Sequence, residues 1–258
     1  MHFSSAEITA ILGSWLWPLF RIGGMVMAAP VFGARSVPAR VKLMITLALT
    51  VIIAPLLPPV PAIDVFSPLS FLIIVQQILI GVVMGFSVQL AFSAVITGGQ
   101  VIAMQMGLGF SLMVDPQNGT QAPVLSQFYV LFAILIYLAL NGHLVLIQVL
   151  RDSFTLIPIG PDGLQAVEFQ KLADWGSQIF AGGLSIALPA IASLLVVNIA
   201  FGIMTRAAPQ MNIFAIGFPI TMILGFALVW ITMPGIVSRT GALFNGTYDL
   251  LRQLLGGL

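Results

Sequence analysis

Ionisable side chains are the first candidates for chemistry, and this 258-residue chain has few of them within its apolar stretches. Between Val65 and Leu150 the only formally charged residue is Asp115, while Arg21 lies in an earlier apolar stretch. A carboxylate or an imidazole in such a place is typical of a proton relay or an ion-coupling site. For His143, which is isolated, we favour a hydrogen bond to neighbouring backbone. The three side chains are too few and too scattered to predict a coupled site.

The residue patterns of common catalytic and metal sites are missing from the sequence. The chain has no cysteine, which excludes disulfides, thiolate catalysis and thiolate metal sites. No second histidine or carboxylate lies at metal-ligand spacing near His143. No catalytic combination of serine, histidine and an acidic residue is recognisable in the sequence, so an intramembrane hydrolase is disfavoured. We therefore predict that the protein is not an enzyme and uses no cofactor and no metal.

The composition predicts an integral membrane protein. The chain is 59% hydrophobic and 7% charged, with a mean hydropathy of +1.11. A soluble domain is about a quarter charged, so this chain cannot cover itself with a solvated surface. Lipid offers no partners for open backbone, which favours helices. The net charge of +1 gives no indication of a nucleic-acid partner.

Six apolar segments of 18 to 30 residues divide the chain, and a spanning helix needs about 20. We predict an all-α membrane fold, with 1–258 as a single domain of kinked helices and helical hairpins. Glycines and prolines inside the last two segments favour helices that pack against protein rather than lipid. The six segments are 8–33, 41–58, 69–97, 124–150, 176–205 and 211–237.

A small-residue face marks the third segment. Gly81, Gly85 and Gln89 recur at a spacing of four, which places them on one side of a helix. Such a pattern lets another helix approach closely. The approaching helix belongs either to a partner subunit or to the same chain, and the residues alone leave both alternatives open.

The stretch 107–123 interrupts two long apolar segments. Asp115 precedes Pro116 and is therefore biased toward an extended conformation, and Gly107 loosens the end of the preceding helix. One interpretation is an ordinary aqueous loop. The other is a loop that closes a pore, because Phe110, Met113 and their neighbours are too apolar for a plain wet loop and can exclude water.

Several long blocks, in order, resemble the FliR family of flagellar biosynthetic proteins and its injectisome counterparts in type III secretion. The blocks cover most of the chain, and the resemblance favours a flagellar system. They are WPLFRIGGMVMAAPVFGARSVPARVKL (17–43), QQILIGVVMGF (76–86), GQVIAMQMGLGFSLMVDP (99–116), NGHLVLI (141–147), IPIG (157–160) and RAAPQMNIFAIGFPITMILG (206–225).

The resemblance implies a core subunit of the flagellar export gate, a multi-pass protein of the bacterial inner membrane in the flagellar basal body. It implies a hetero-oligomeric helical ring with FliP and FliQ, association with FlhB, and passage of unfolded export substrates. It also implies that loop 107–123 plugs the channel, with Phe110 and Met113 where hydrophobic gate residues are expected. The predicted plug residues are Gly107, Phe110, Met113, Val114, Asp115 and Pro116.

A secondary transporter of a small solute is the competing class. Broken helices with internal glycine and proline are found in such transporters as well. That class predicts solute uptake by this chain alone, whereas a gate subunit is expected to purify with fixed partners.

Overall fold

The computed structural model describes residues 5–58, 63, 67–109, 124–208 and 213–256. Over these ranges the regular elements are helices and no strand occurs, which confirms the predicted all-α fold. Five helical stretches are long and apolar enough to cross a membrane, and six if one bent pair counts as a span. The helices are α1 (Ser5–Ala28), α2 (Ala39–Ile53), α3 (Pro68–Gln105), α4 (Val124–Ala139), α5 (Gly142–Leu156), α6 (Ala166–Trp175), α7 (Gln178–Ala207) and α8 (Ile213–Leu254), with a 3₁₀ turn at Ala54–Leu56.

The segment 124–150 is divided into α4 and α5 by a break at Leu140 and Asn141. Asn141 lies at the break with φ of 55°, in the left-handed region that asparagine tolerates better than most residues. The hydroxyl of Tyr248 donates a hydrogen bond of 2.7 Å to the carbonyl of Gly142, directly after the break. The segment 124–150 is apolar throughout, yet it contains a turn, which the Asn141–Gly142 pair favours.

Two helices continue past the apolar segments read from the sequence. α3 runs on to Gln105, and Gly98 and Gly99 lie inside it as positions of close contact with neighbouring helices. α8 runs on to Leu254, although charges begin at Arg239. The last turns of α8 keep an apolar side, since Leu250, Leu251 and Leu254 are buried.

The first compact unit comprises 1–90, 141–176 and 244–258, so it holds α1, α2, the first part of α3, α5, α6 and the end of α8. α6 begins with a capping box, in which the Glu168 carboxylate accepts a 2.9 Å hydrogen bond from the backbone N–H of Gln165. The core of this unit includes Trp17, Ile22, Met25, Ile80, Met84, Leu146, Leu150 and Phe154, all buried.

The second compact unit comprises 91–140 and 177–243, so it holds the rest of α3, α4, α7 and most of α8. α3 and α7 touch through glycines: a Cβ added at Gly98 would lie 3.0 Å from the carbonyl oxygen of Gly183. Phe92 and Tyr137 pack edge to face with ring centroids 5.4 Å apart. The core of this unit includes Phe92, Val95, Ile102, Met106, Tyr129, Ala133, Tyr137, Ile186 and Leu194.

Candidate functional site

The glycine face of α3 lies directly against the backbone of α1. A Cβ at Gly81 would overlap the carbonyl oxygen of Arg21, and one at Gly85 would lie 2.7 Å from the amide nitrogen of Ala29. Contact is reciprocal, since a Cβ at Gly24 of α1 would lie 2.6 Å from the carbonyl oxygen of Ile78. The two helices therefore touch backbone to backbone, which only glycine permits at these positions.

Of the two alternatives that the sequence left open for this face, the structure places Gly81 and Gly85 at a contact within the chain. Gly81 and Gly85 meet α1, and this accounts for glycine at both positions without a second subunit. Gln89, about one turn beyond Gly85 on α3, is half-buried. Gly24, the reciprocal contact on α1, was not singled out from the sequence, although its Gly-Gly pair inside an apolar segment is a usable signal.

Arg21 is fully buried beside this contact and its charge is met by neutral groups. Its Nε donates to Oε1 of Gln77 at 2.8 Å, Nη1 donates to the carbonyl of Ser153 at 2.8 Å, and Nη2 donates to the carbonyl of Ile157 at 2.9 Å. The guanidinium carbon lies 4.2 Å from the centroid of the Phe154 ring. Both hydrogen bonding and a cation–π contact therefore offset the loss of water around the cation.

The carbonyls that accept from Arg21 belong to the C-terminal end of α5. Ser153 is in the last turn of this helix, and Ile157 is its C-cap residue. A helix C-terminus carries a partial negative charge and favours a nearby cation. Arg21 therefore sits in the field of α5 and closes the end of that helix, which explains how an apolar segment holds an arginine near its centre.

The start of the predicted plug is held by the second unit. α3 ends at Gln105, and Gly107 has a φ of 80°, a left-handed conformation that favours glycine. A Cβ at Gly107 would lie 2.9 Å from the ring of Phe218 on α8. The chain therefore leaves α3 through a turn that favours glycine at position 107, where a larger residue would be strained and would meet Phe218.

Met106, the residue before this turn, anchors it. Its side chain is fully buried, and a Cβ at Gly225 of α8 would lie 2.5 Å from its Cγ. Small residues on α8 thus make room for the end of α3. The other predicted plug residues, Phe110, Met113, Val114, Asp115 and Pro116, lie outside the described residues.

α4 begins with two buried hydroxyl groups directly after the 107–123 stretch. Ser126 Oγ and the Tyr129 hydroxyl have no hydrogen-bond partner in the described part of the chain. The Tyr129 ring lies against Gly99 of α3, where a Cβ would approach it to 2.8 Å. Because Gly99 has no side chain, α3 and α4 pack closely near the start of α4.

His143 lies at the start of α5 and is half-buried. Its Nδ1 is buried and has no hydrogen-bond partner among the described groups. The hydrogen bond to neighbouring backbone that we favoured from the sequence is therefore not found at this nitrogen. No cluster of three or more residues of the metal-ligating types His, Cys, Asp and Glu occurs within the described ranges.

The chain is similar to known bacterial proteins over nearly its whole length. Residues 12–247 match the family described as bacterial export proteins, family 1. The chain is 42% identical over 258 residues to the flagellar biosynthetic protein FliR of Escherichia coli (strain K12), covering 100% of this chain and 98% of the relative. It is 39% identical over 255 residues to FliR of Pectobacterium carotovorum (99% and 97% covered) and 28% identical over 252 residues to FliR of Bacillus subtilis (96% and 97% covered).

Proposed function

We propose a function on the premise that this chain belongs to the bacterial export proteins, family 1, the family matched by residues 12–247. The resemblance to the FliR family is thereby confirmed. The chain is a component of a flagellar export apparatus, and its long apolar helices fit a multi-pass membrane protein. The match over nearly the whole chain is the observation that carries the more specific proposal below.

In this proposal the chain is a non-enzymatic core subunit of the export gate in the inner membrane. It forms part of a channel together with FliP and FliQ in a helical ring, and FlhB associates with that ring. The second unit supports a subunit role because it presents large apolar side chains that lipid or other chains must cover. These side chains are Phe180, Val196, Ile203, Trp230 and Ile231, each more than 60% exposed in the single chain.

The plug of this channel is the stretch 107–123. Its apolar residues, Phe110 and Met113 foremost, keep the idle conduit dry and closed to ions. Support comes from the base of the stretch, where Gly107 packs on Phe218 and Met106 is buried against Gly225. A stretch that starts from a fixed point can return to the same closed position after each substrate has passed.

In this proposal the channel makes no covalent bonds. It excludes water and ions when closed and lets unfolded substrates pass when open. Methionine adapts its shape, so a seal containing Met113 accommodates cargo of varied sequence. Transport energy comes from other components and from the proton motive force. Unfolded substrates pass when the plug moves aside, and the closed state is restored when they have left.

The test is removal of the plug in the assembled complex. Deletion of 110–118 is expected to make cells leak ions through the gate. A matched variant replaces the same residues with glycine and serine, which keeps the connection length and removes only the apolar side chains. Both variants are expected to leak, with leakage measured after co-purification of FliP and FliQ has shown assembly.

Two results would count against the proposal. Unchanged ion leakage in both assembled variants would exclude 107–123 as the seal. Purification of the wild-type chain alone, with uptake of a small solute into liposomes that contain only this chain, would favour a secondary transporter instead.

A further inference from the structure

The turn between α1 and α2 concentrates positive charge, and no acid in the described part of the chain pairs with it. Arg35 and Arg40 are exposed, and neither forms an ion pair in the described part of the chain. Lys42 donates from Nζ to the carbonyl of Gly33 at 2.8 Å, so its charge is also not neutralised by an acid. Three cations thus lie within eight positions, and two of them are exposed arginines without an ion pair among the described residues.

The backbone of this turn is well tied. The amide of Gly33 donates to the carbonyl of Ala29 at 2.7 Å, and the amide of Val37 donates to the carbonyl of Ala34 at 3.0 Å. Pro38 then starts α2 by accepting 3.0 Å and 3.2 Å hydrogen bonds from the amides of Val41 and Lys42. The arginines are therefore carried on an ordered turn, which lowers the entropy lost when an anion is bound.

Exposed apolar side chains flank the turn on both helices. Met27 near the end of α1 is 64% exposed, and Leu43 and Met44 in the first turns of α2 are 58% and 68% exposed. The surface therefore changes from cationic to apolar within about one to two helical turns. That step matches the boundary between the headgroups and the acyl chains of a lipid leaflet.

We propose that this basic turn binds the phosphodiester headgroup of an anionic phospholipid, with Arg35 and Arg40 on the phosphate. An arginine fork matches phosphate oxygens in a bidentate manner, and basic segments beside a membrane are attracted to anionic lipid. An acidic segment of another protein is the other candidate, but it does not account for the exposed Met27, Leu43 and Met44. The proposal does not depend on the plug or on the channel.

The experiment measures lipid retention by the full-length chain, in the form in which it purifies. Detergent-solubilised protein is exposed to phosphatidylglycerol or phosphatidylcholine, and bound lipids are counted by native mass spectrometry. The wild type is expected to retain phosphatidylglycerol preferentially, and R35Q/R40Q to reduce that retention at least fivefold. Inorganic phosphate at millimolar concentration is expected not to displace the lipid, because it lacks the acyl chains.

The matched control is R151Q/R252Q, which removes the same number of charges. Arg151 and Arg252 are exposed but lie 2.7 Å and 3.4 Å from the carboxylates of Asp152 and Asp249, so they are already paired. This control is expected to retain phosphatidylglycerol like the wild type. R35K/R40K is expected to retain an intermediate amount, since it keeps the charge without the bidentate fork.

Three outcomes would overturn the proposal. The first is equal phosphatidylglycerol retention by R35Q/R40Q and the wild type. The second is an equal loss in R151Q/R252Q, which would indicate net charge rather than a site. The third is unchanged lipid retention together with loss of co-purifying subunits in R35Q/R40Q, which would assign the turn to an acidic protein partner.

Discussion

The guanidinium of Arg239 on α8 donates a hydrogen bond to the carbonyl oxygen of Ser185 on α7. Pro189 lies four positions after Ser185 inside α7 and has no N–H for that carbonyl. Arg239 therefore supplies the donor that the helix lacks. The contact is exposed in the single chain. Where lipid covers it, a carbonyl without a donor costs about 1–3 kcal/mol, and this hydrogen bond offsets that cost.

Replacing Arg239 with methionine is expected to lower the free energy of unfolding by about 1–3 kcal/mol, because the Ser185 carbonyl then loses its donor. Pro189→Ala restores a backbone N–H, so R239M should have little effect in that background. A double-mutant cycle in detergent, followed by thermal unfolding, measures the coupling. R252M on the same helix is the control, since Arg252 forms only an exposed ion pair. Additive effects of R239M and P189A would contradict the assignment.

A single methyl group at Gly81 is expected to lower stability by about 1–3 kcal/mol or more, because it overlaps the backbone of α1. Gly202→Ala is the matched control: nothing lies within 4 Å of its added Cβ on α7, and alanine is favoured over glycine in helices by about 1 kcal/mol. Thermal unfolding of the purified chain alone distinguishes a loss of packing within the chain from a loss of assembly with a partner. A Gly81→Ala chain that melts like the wild type and fails only in assembly would move this contact to a partner.

Arg21→Lys is expected to destabilise the chain by about 2–4 kcal/mol, since one ammonium cannot reach the acceptors on α3 and α5 together and does not stack on Phe154. Phe154→Leu removes only the ring and is expected to lose about 0.5–2 kcal/mol. Arg252→Lys at the exposed end of α8 is the conservative control. Equal unfolding midpoints for R21K and R252K would show that the buried guanidinium is not needed at this place.

Gly107→Ala is expected to destabilise the end of α3 by about 1–2 kcal/mol, because alanine in the left-handed region is strained and its Cβ meets Phe218. If 107–123 is the plug, the same variant leaks ions through the assembled gate. Gly109→Ala is the matched control, since its Cβ would be 3.6 Å from Met104, an ordinary contact. Leakage that is equal in the two variants would mean that the direction of the turn does not set the seal.

Local patterns predicted the helices and one of their contacts from the sequence. The spacing of Gly81 and Gly85 identified the face of α3 that packs closely, and the apolar runs identified the spanning helices. The opposite face on α1 was missed: the Gly23–Gly24 pair is a signal for close packing, but only the fold shows that Gly24 meets α3. The break at Asn141 was also missed, since an apolar run on both sides outweighed a two-residue turn signal.

Long-range polar contacts could not be predicted from the sequence either, because only the fold brings the contacting residues together. From the sequence, Arg21 is only one of three scattered ionisable side chains in the apolar stretches. In the structure its partners lie 56 to 136 positions away, and no periodicity connects residues so far apart. Similarly, the last apolar segment was predicted to end at 237, whereas α8 continues through Arg239, which donates a hydrogen bond to α7.

The length of α3 has a consequence for how much of this protein a cell can keep. Its 38 uncharged residues extend about 57 Å at 1.5 Å per residue, nearly twice a hydrocarbon core of about 30 Å. In the proposed export gate, side chains that stay exposed on any portion outreaching the bilayer are covered by neighbouring subunits. We therefore expect copies made in excess of those subunits to expose apolar surface to proteases and aggregation, so that the supply of partners would set the amount of this chain that a cell keeps.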